Sequence, residues 1–302
     1  RHLGDATCCL GELHCCGWST VRFSFQAEIC EWHRTNVGHC PRALMGRLLS
    51  LAAGVQTDVA PADMVTVAHE AGWPAVGIWF DGKVWNDKTS QEVRQRLDDT
   101  GIVALDIEPI IPSVEGNDFA EQLIEAAVII GAQHILFTSR LKDQARTTER
   151  YQQVCELAEP HGIKVVCEFL PIFPLNTLSM AADIVGTSGA SNGGVLIDNL
   201  HLSRSGSSID DVKAMPIDLF PYLQICDAPA QCPTDFGGLL DEALNGRLCP
   251  GEGSLPIVEL LKAVPAVPLS FEVRSKFLRD IADPVARAKY LLKYAQQSCG
   301  HL

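Results

Sequence analysis

From Met45 onward the chain repeats one unit eight times: a short apolar run, then a longer stretch with apolar residues three or four positions apart. Residues 47–55 (RLLSLAAGV) are apolar enough for a buried strand. A helix follows over 61–71, with Pro61 in its first turn, Met64, Val67, Ala68 and Ala71 on one face, and Gly72 as its stop. Strand 75–80 (AVGIWF) leads into helix 89–100, where Thr89 and Glu92 stand at capping-box spacing and Gly101 ends the periodicity. The same beat predicts strand 102–107 and helix 117–130, strand 133–138 and helix 145–159, and strand 163–169 and helix 176–186. It continues with strand 194–198 and a short helix 208–214. Strand 219–226 then precedes a long irregular loop and helix 254–263, and strand 268–273 the final helix 283–297. Eight strand–helix units in about 250 residues predict a (β/α)8 TIM barrel. A doubly wound open sheet also alternates, but it carries a glycine-rich phosphate turn after its first strand. Val55, Gln56, Thr57 and Asp58 supply no such turn.

Residues 1–44 have no sustained period. They mix Cys, His, Trp and Gly with charge, and the first methionine of the chain is Met45. They are expected to be a peripheral N-terminal extension, an upstream mis-start or a cloning remnant, ahead of a barrel over 45–302. The alternative is a capping segment anchored by Trp18, Phe23 and Phe25. Six of the 12 cysteines fall here (Cys8, Cys9, Cys15, Cys16, Cys30, Cys40) beside His14, His33 and His39. Their spacings match no paired C-x-x-C zinc site. The other cysteines are scattered, as at Val165-Val166-Cys167, a usage typical of small buried hydrophobes in a reducing compartment. With no basic region followed by a long apolar stretch at the N-terminus, the expected location is cytoplasmic.

Composition narrows the function. A chain of 302 residues with 47% apolar and 20% charged positions has the profile of a globular protein with a sizeable core. No apolar run approaches the roughly 20 residues of a membrane span. A net charge of -13 argues against nucleic acid or an anionic membrane as partner, since both need a basic face. The expected partner is a small molecule, and homo-oligomer formation is compatible with the sequence.

The chemistry is expected where barrel strands run out at their C-terminal ends. Strands five to eight carry Glu168, Asp198, Gln224 and Glu272 there, each interrupting an apolar run. A carboxylate among strand apolar residues is costly unless paired or bound to a cation. Three carboxylates and an amide oxygen converging at one mouth would hold a hard divalent ion, Mn2+ or Mg2+ before Co2+ or Zn2+.

These motifs (CEF at Glu168, IDNLH from Asp198 to His201, QICDAP at Gln224, PGEG at 250–253 and SFEV at Glu272) resemble the xylose isomerase-like TIM barrels, the sugar phosphate isomerase/epimerase superfamily. The resemblance covers residues 47–297. It implies that Glu168, Asp198, Gln224 and Glu272 are the metal ligands, that Glu168 and Glu272 double as the acid/base pair, and that His201 contacts substrate. Glutamine at the third ligand places the chain nearer the hydroxypyruvate isomerase-like and dehydratase-like branches. The family's epimerases often carry an arginine six or seven residues past the third ligand; here those positions are Ala230 and Gln231. Arg247 and Arg274 are the candidate replacements, each otherwise a salt-bridge residue.

A divalent ion across a carbonyl and a neighbouring hydroxyl acidifies the intervening C–H, and a positioned carboxylate can remove the proton and another return it. The expected activity is therefore metal-dependent isomerisation or epimerisation of a sugar or keto-acid. The alternative is a metal-dependent dehydratase or lyase of the 3-dehydroshikimate dehydratase-like kind. A distant third reading is an endonuclease IV-like repair barrel or a non-catalytic barrel, disfavoured by charge and by nine histidines, of which four precede residue 40. Glu108 and Trp79 are further candidates for the substrate pocket, against readings as a loop acid and a core aromatic. Asp227 is a candidate partner behind the metal glutamine. His134 reads as a barrel-bottom or helix-packing residue rather than a ligand.

Overall fold

In the computed structural model, which describes residues 46–299, eight parallel strands close into one barrel in sequence order. They are β1 (Leu49–Leu51), β2 (Ala75–Trp79), β3 (Val103–Ile110), β4 (His134–Phe137), β5 (Lys164–Glu168), β6 (Gly193–Asp198), β7 (Leu223–Ile225) and β8 (Leu269–Phe271). The (β/α)8 expectation holds. Expectations for residues 1–44 and Met45 lie outside the described residues.

Two apolar layers hold the barrel. Side chains alternate along a strand, so one set faces the barrel axis and the other the surrounding helices. Ala75, Leu105, Leu136, Val166, Leu196 and Tyr222 form the axial cluster. The larger cluster lies between strands and helices and includes Val76, Ile78, Ile135, Val165, Cys167, Ile197 and Phe271. Gly72 and Gly101 end their helices as expected, at φ of 90° and 71°, but the second helix starts at Asp87 and is capped by Asn86, whose side chain accepts from Thr89 N, in place of the expected Thr89–Glu92 box. Asp143 and Thr177 cap later helices with side-chain oxygens, and Gly131 ends another at φ 74°. Cys155, Cys167, Cys226 and Cys249 are buried free thiols, as their apolar surroundings suggest. His134 is buried beside Tyr222 with Nδ1 2.8 Å from the Leu105 carbonyl, matching its expected packing role. Among the described residues no helix is long and apolar enough to cross a membrane.

Three local departures matter for function. The first strand is shorter than expected, because Ala53–Gln56 turns into a 3-10 helix. A helix at Asn199–Arg204 starts directly on Asp198, whose carboxylate accepts from Leu200 N at 2.8 Å and His201 N at 3.2 Å. The stretch expected as an irregular loop after β7 contains the helix Phe236–Asn245, capped by Asp235. Two early glycines lower its intrinsic propensity. Tertiary contact overrides that: Glu242 on this helix pairs with Arg204 at 2.8 Å, with side chains only 9% and 4% exposed.

Candidate active site

One step of two residues along each strand leads from the axial apolar cluster to the mouth: from Leu136 to Thr138, Val166 to Glu168, Leu196 to Asp198 and Tyr222 to Gln224. Adjacent strands keep these ends level. Asp198 pairs in register with Gln224, and Gln224 with Ser270. The Asn199 side chain clamps the two strand ends, donating to Cys226 O at 2.7 Å and accepting from Cys226 N at 2.9 Å. Glu272 follows β8 directly, its N–H donating to Ile225 O at 3.0 Å.

The resulting pocket, about 320 Å3, is lined by Glu168, Gln224, Glu272, His201, Arg247, Arg274, Glu108 and Trp79. Every residue expected at the site except Asp227 and Asp198 therefore lines it. Asp198 lies just beneath, fully buried, with one oxygen on the helix start and the other 2.5 Å from Arg247 Nη1. The Glu168 and Asp198 carboxylates and a His201 ring nitrogen lie within 4.8 Å of one another. His201, expected to touch substrate, thus stands within the donor cluster. Glu272 is drawn instead to Arg247, with Oε2 3.1 Å from the same Nη1. Asp227 does not reach the Gln224 amide. Its carboxylate accepts from the backbone N–H groups of Gly251, Gly253 and Leu255 at 2.9 to 3.0 Å, and so fixes the PGEG turn.

Asp106 joins these residues and was not foreseen from sequence. The β2–β3 register slips by one residue between Val76 and Gly77, so Gly77 pairs with Asp106 and both face the interior. A Cβ on Gly77 would stand 2.8 Å from the Ala53 backbone nitrogen and 3.0 Å from Asp106 Oδ1, so the glycine lets both the backbone just past the first strand and this carboxylate approach. Gly54 does the same for Glu272, whose carboxylate would collide with a Cβ there.

Asp106, Glu108, Glu168, Asp198 and Glu272 are all less than 9% exposed. Fully buried Arg247 and half-buried Arg274 are the cations facing them. Burial, reinforced by Glu272 and Asp198, holds the Glu168 carboxyl well above the usual range. Burial and the neighbouring Asp106 do the same to Glu108. Asp106 is pushed up to about 7 by burial and the charge of Glu272. Burial also raises Glu272, against the pull of Arg247. Asp198 alone is lowered: burial opposes its charge, and Arg247, His201 and their hydrogen bonds outweigh it. His201 is brought down to about 4 by burial despite Asp198, which leaves a neutral ring with a lone pair available.

This donor set fits a divalent cation. Gln224 Oε1, Glu108 Oε1 and both Asp106 oxygens are buried without a hydrogen-bond partner. Such groups are costly unless something positive meets them. Carboxylate and amide oxygens with one imidazole suit a divalent ion of the Mg2+ to Zn2+ range.

A closed barrel with a carboxylate-lined mouth is the fold class of many enzymes and by itself names none. The comparisons with known proteins are more specific: residues 65–290 match the model of the xylose isomerase-like TIM barrel, and the chain belongs to that family. It is 30% identical over 146 residues to the inosose isomerase of Bacillus licheniformis, covering 45% of this chain and 50% of that one. It is 26% identical over 168 residues to the inosose isomerase of Bacillus subtilis, covering 52% and 58%. The matched part thus spans about half the length of these curated relatives. Among solved structures, the IOLI protein with a binding zinc atom superposes with a TM-score of 0.72 at 17% identity over 84% of this chain and 98% of that one. At this identity the likeness is one of fold.

Proposed function

We propose that this protein is a divalent-metal-dependent isomerase or epimerase that moves a proton beside a carbonyl of a sugar or keto-acid. The observation that carries the reading is that Glu168, His201, Gln224 and Glu272 line one pocket, that the Asp198 carboxylate lies within 4.8 Å of Glu168 and His201 beneath it, and that Gln224 and Glu108 oxygens there have no partner. Relatives that are inosose isomerases support it. Glu168, Asp198, Gln224 and Glu272 would hold the ion, with His201 a further donor. Mn2+ or Mg2+ suits the oxygens, and the imidazole also admits Co2+ or Zn2+. When bound, the ion polarises adjacent carbonyl and hydroxyl oxygens and acidifies the C–H between them.

Glu168 on β5 and Glu272 at the end of β8 face the pocket from strands three apart around the barrel. One takes the proton and the other returns it, to the neighbouring carbon in isomerisation or to the opposite face in epimerisation. The helix Phe236–Asn245 brings Leu240, Ala243 and Leu244 to the pocket wall and limits access of water to the transferred proton. A dehydratase is the second reading, favoured by Glu108: its carboxyl lines the same pocket, and burial raises its affinity for the proton that a departing hydroxyl needs.

The test is deuterium incorporation, by proton NMR, at the carbons flanking the carbonyl of an inosose and of ketohexoses, using Mn2+-loaded protein. Glu168→Gln and Glu272→Gln should each abolish exchange with circular dichroism unchanged. Wild-type exchange in both variants would remove the reading. Loss of a hydroxyl in place of exchange would select the dehydratase.

A further inference from the structure

Above its acidic floor the pocket changes character. Ile111, Leu170, Ile172, Leu240 and Leu244 present hydrocarbon, and Thr138 is the one neutral hydroxyl among the lining residues. A ring bearing hydroxyls on every carbon would leave most of them without partners against that wall, at a cost for each. Two guanidinium groups break the apolar surface. Arg140, exposed just past β4, holds its Cζ 4.9 Å from the centre of the Phe173 ring. Arg274, two residues beyond Glu272, holds its Cζ 5.6 Å from the centre of the Trp79 ring. Neither forms an ion pair with an acid among the described residues, and the buried Arg274 Nε has no hydrogen-bond partner. Arg247, by contrast, is committed to Asp198 and Glu272. Stacking on an aromatic face fixes a guanidinium plane while leaving its N–H edge free.

From this the geometry points to an anionic substrate: a small hydroxy-ketone whose far end carries an oxyanion, a carboxylate or a phosphate, received by Arg140 and Arg274 while its carbonyl end meets the acidic floor. Of the three guanidinium groups that line the pocket, Arg140 and Arg274 are the two without an ion-pair partner among the described residues. Planar guanidinium groups bind carboxylate and phosphate bidentately, which gives orientation as well as affinity. The apolar wall between favours a ring or chain with few hydroxyls on that side. Arg140 and Arg274 are thereby specificity-determining residues and discriminate against neutral polyols of the same size.

The inference rests on the proposed reaction for the carbonyl end alone, and its test reads binding without turnover. Three probes of similar ring size are titrated calorimetrically into Mn2+-loaded protein: quinate (carboxylate), myo-inositol 1-phosphate (phosphate) and myo-inositol (neutral). Quinate or the phosphate should bind at least about tenfold tighter than myo-inositol, one bidentate charged contact being of that order. The tighter of the two identifies the oxyanion. Arg140→Ala, a surface replacement that spares the fold, and Arg274→Ala should each weaken the anionic probe far more than myo-inositol and so remove most of the preference. Equal affinity for all three probes would overturn the inference. So would a preference surviving in the double variant, since the anion would then be held by something else. Either result alongside continued deuterium exchange on a neutral ketone would leave the isomerase reading standing. Anion preference without exchange on any ketone would remove the isomerase reading alone.

Discussion

Replacing Arg247 by methionine would leave a similar volume at the centre of the site without the charge. Its guanidinium lies 2.5 Å from Asp198 Oδ2 and 3.1 Å from Glu272 Oε2, both buried, and also donates to the carbonyls of Ala243 and Glu272 at 3.0 and 3.1 Å. Breaking a buried pair by removing one partner costs about 3–5 kcal/mol, because the remaining charge stays uncompensated. For a barrel of this size that corresponds to a fall of roughly 10 °C in melting temperature. The sign of the metal response is the sharper part. In wild type a divalent ion enters a site whose Asp198 and Glu272 already have a counter-charge; in Arg247→Met it meets them bare. Saturating Mn2+ should therefore raise the variant's stability more than the wild type's, by at least about 1.4 kcal/mol, a tenfold difference in affinity. Arg247→Lys, which keeps the charge but not the fork, should recover only part of the loss in the metal-free protein. Urea unfolding followed by circular dichroism, in EDTA and in Mn2+, measures all of this. Metal-free Arg247→Met within 1 kcal/mol of wild type would show that the guanidinium does not offset the buried carboxylates, and the electrostatic account of the site would fail.

Gly54→Ala would place a methyl group against the Glu272 carboxylate and 3.4 Å from Arg274 Cδ. It should weaken Mn2+ binding about tenfold or more with only modest loss of stability, as calorimetric titration can check. His134 is held neutral, its affinity for a proton lowered to about 4 by burial. The unfolded chain binds that proton first as pH falls, so stability drops between pH 6.5 and 4; at pH 4.5 the loss relative to neutral pH is about 2.5 kcal/mol. His134→Gln should flatten that limb of the urea-unfolding profile by this amount. A chain beginning at Met45 should keep the melting temperature and metal binding of the full chain; a fall of many degrees would make residues 1–44 part of the folded unit.

The fold was legible because a parallel barrel repeats its pattern: each buried strand reads as an apolar run and each helix as a stripe with caps. Glu168, Asp198, Gln224 and Glu272 stood out because a polar residue ending such a run is conspicuous. Asp106 did not, since strict alternation after Leu105 sends it to the helix side, and only a register slip against Gly77 turns it inward. Arg247 was a candidate whose partners were hidden: 49 residues separate it from Asp198 in sequence. The helix Phe236–Asn245 was missed because Gly237 and Gly238 suppress its local signal, while the Glu242–Arg204 pair that fixes it is tertiary. Arg140 gave no signal at all, since a lone arginine after a strand is ordinary until Phe173 and the pocket stand beside it.

The most direct test of the central claim, that this mouth is a divalent-cation site, is electron paramagnetic resonance titration of Mn2+ into chelator-treated protein. Free Mn2+ gives a strong six-line signal that binding broadens away. The account predicts one equivalent taken up per chain, and severe weakening of that uptake in Glu168→Ala. No uptake by wild type, or uptake equal in the two proteins, would contradict it.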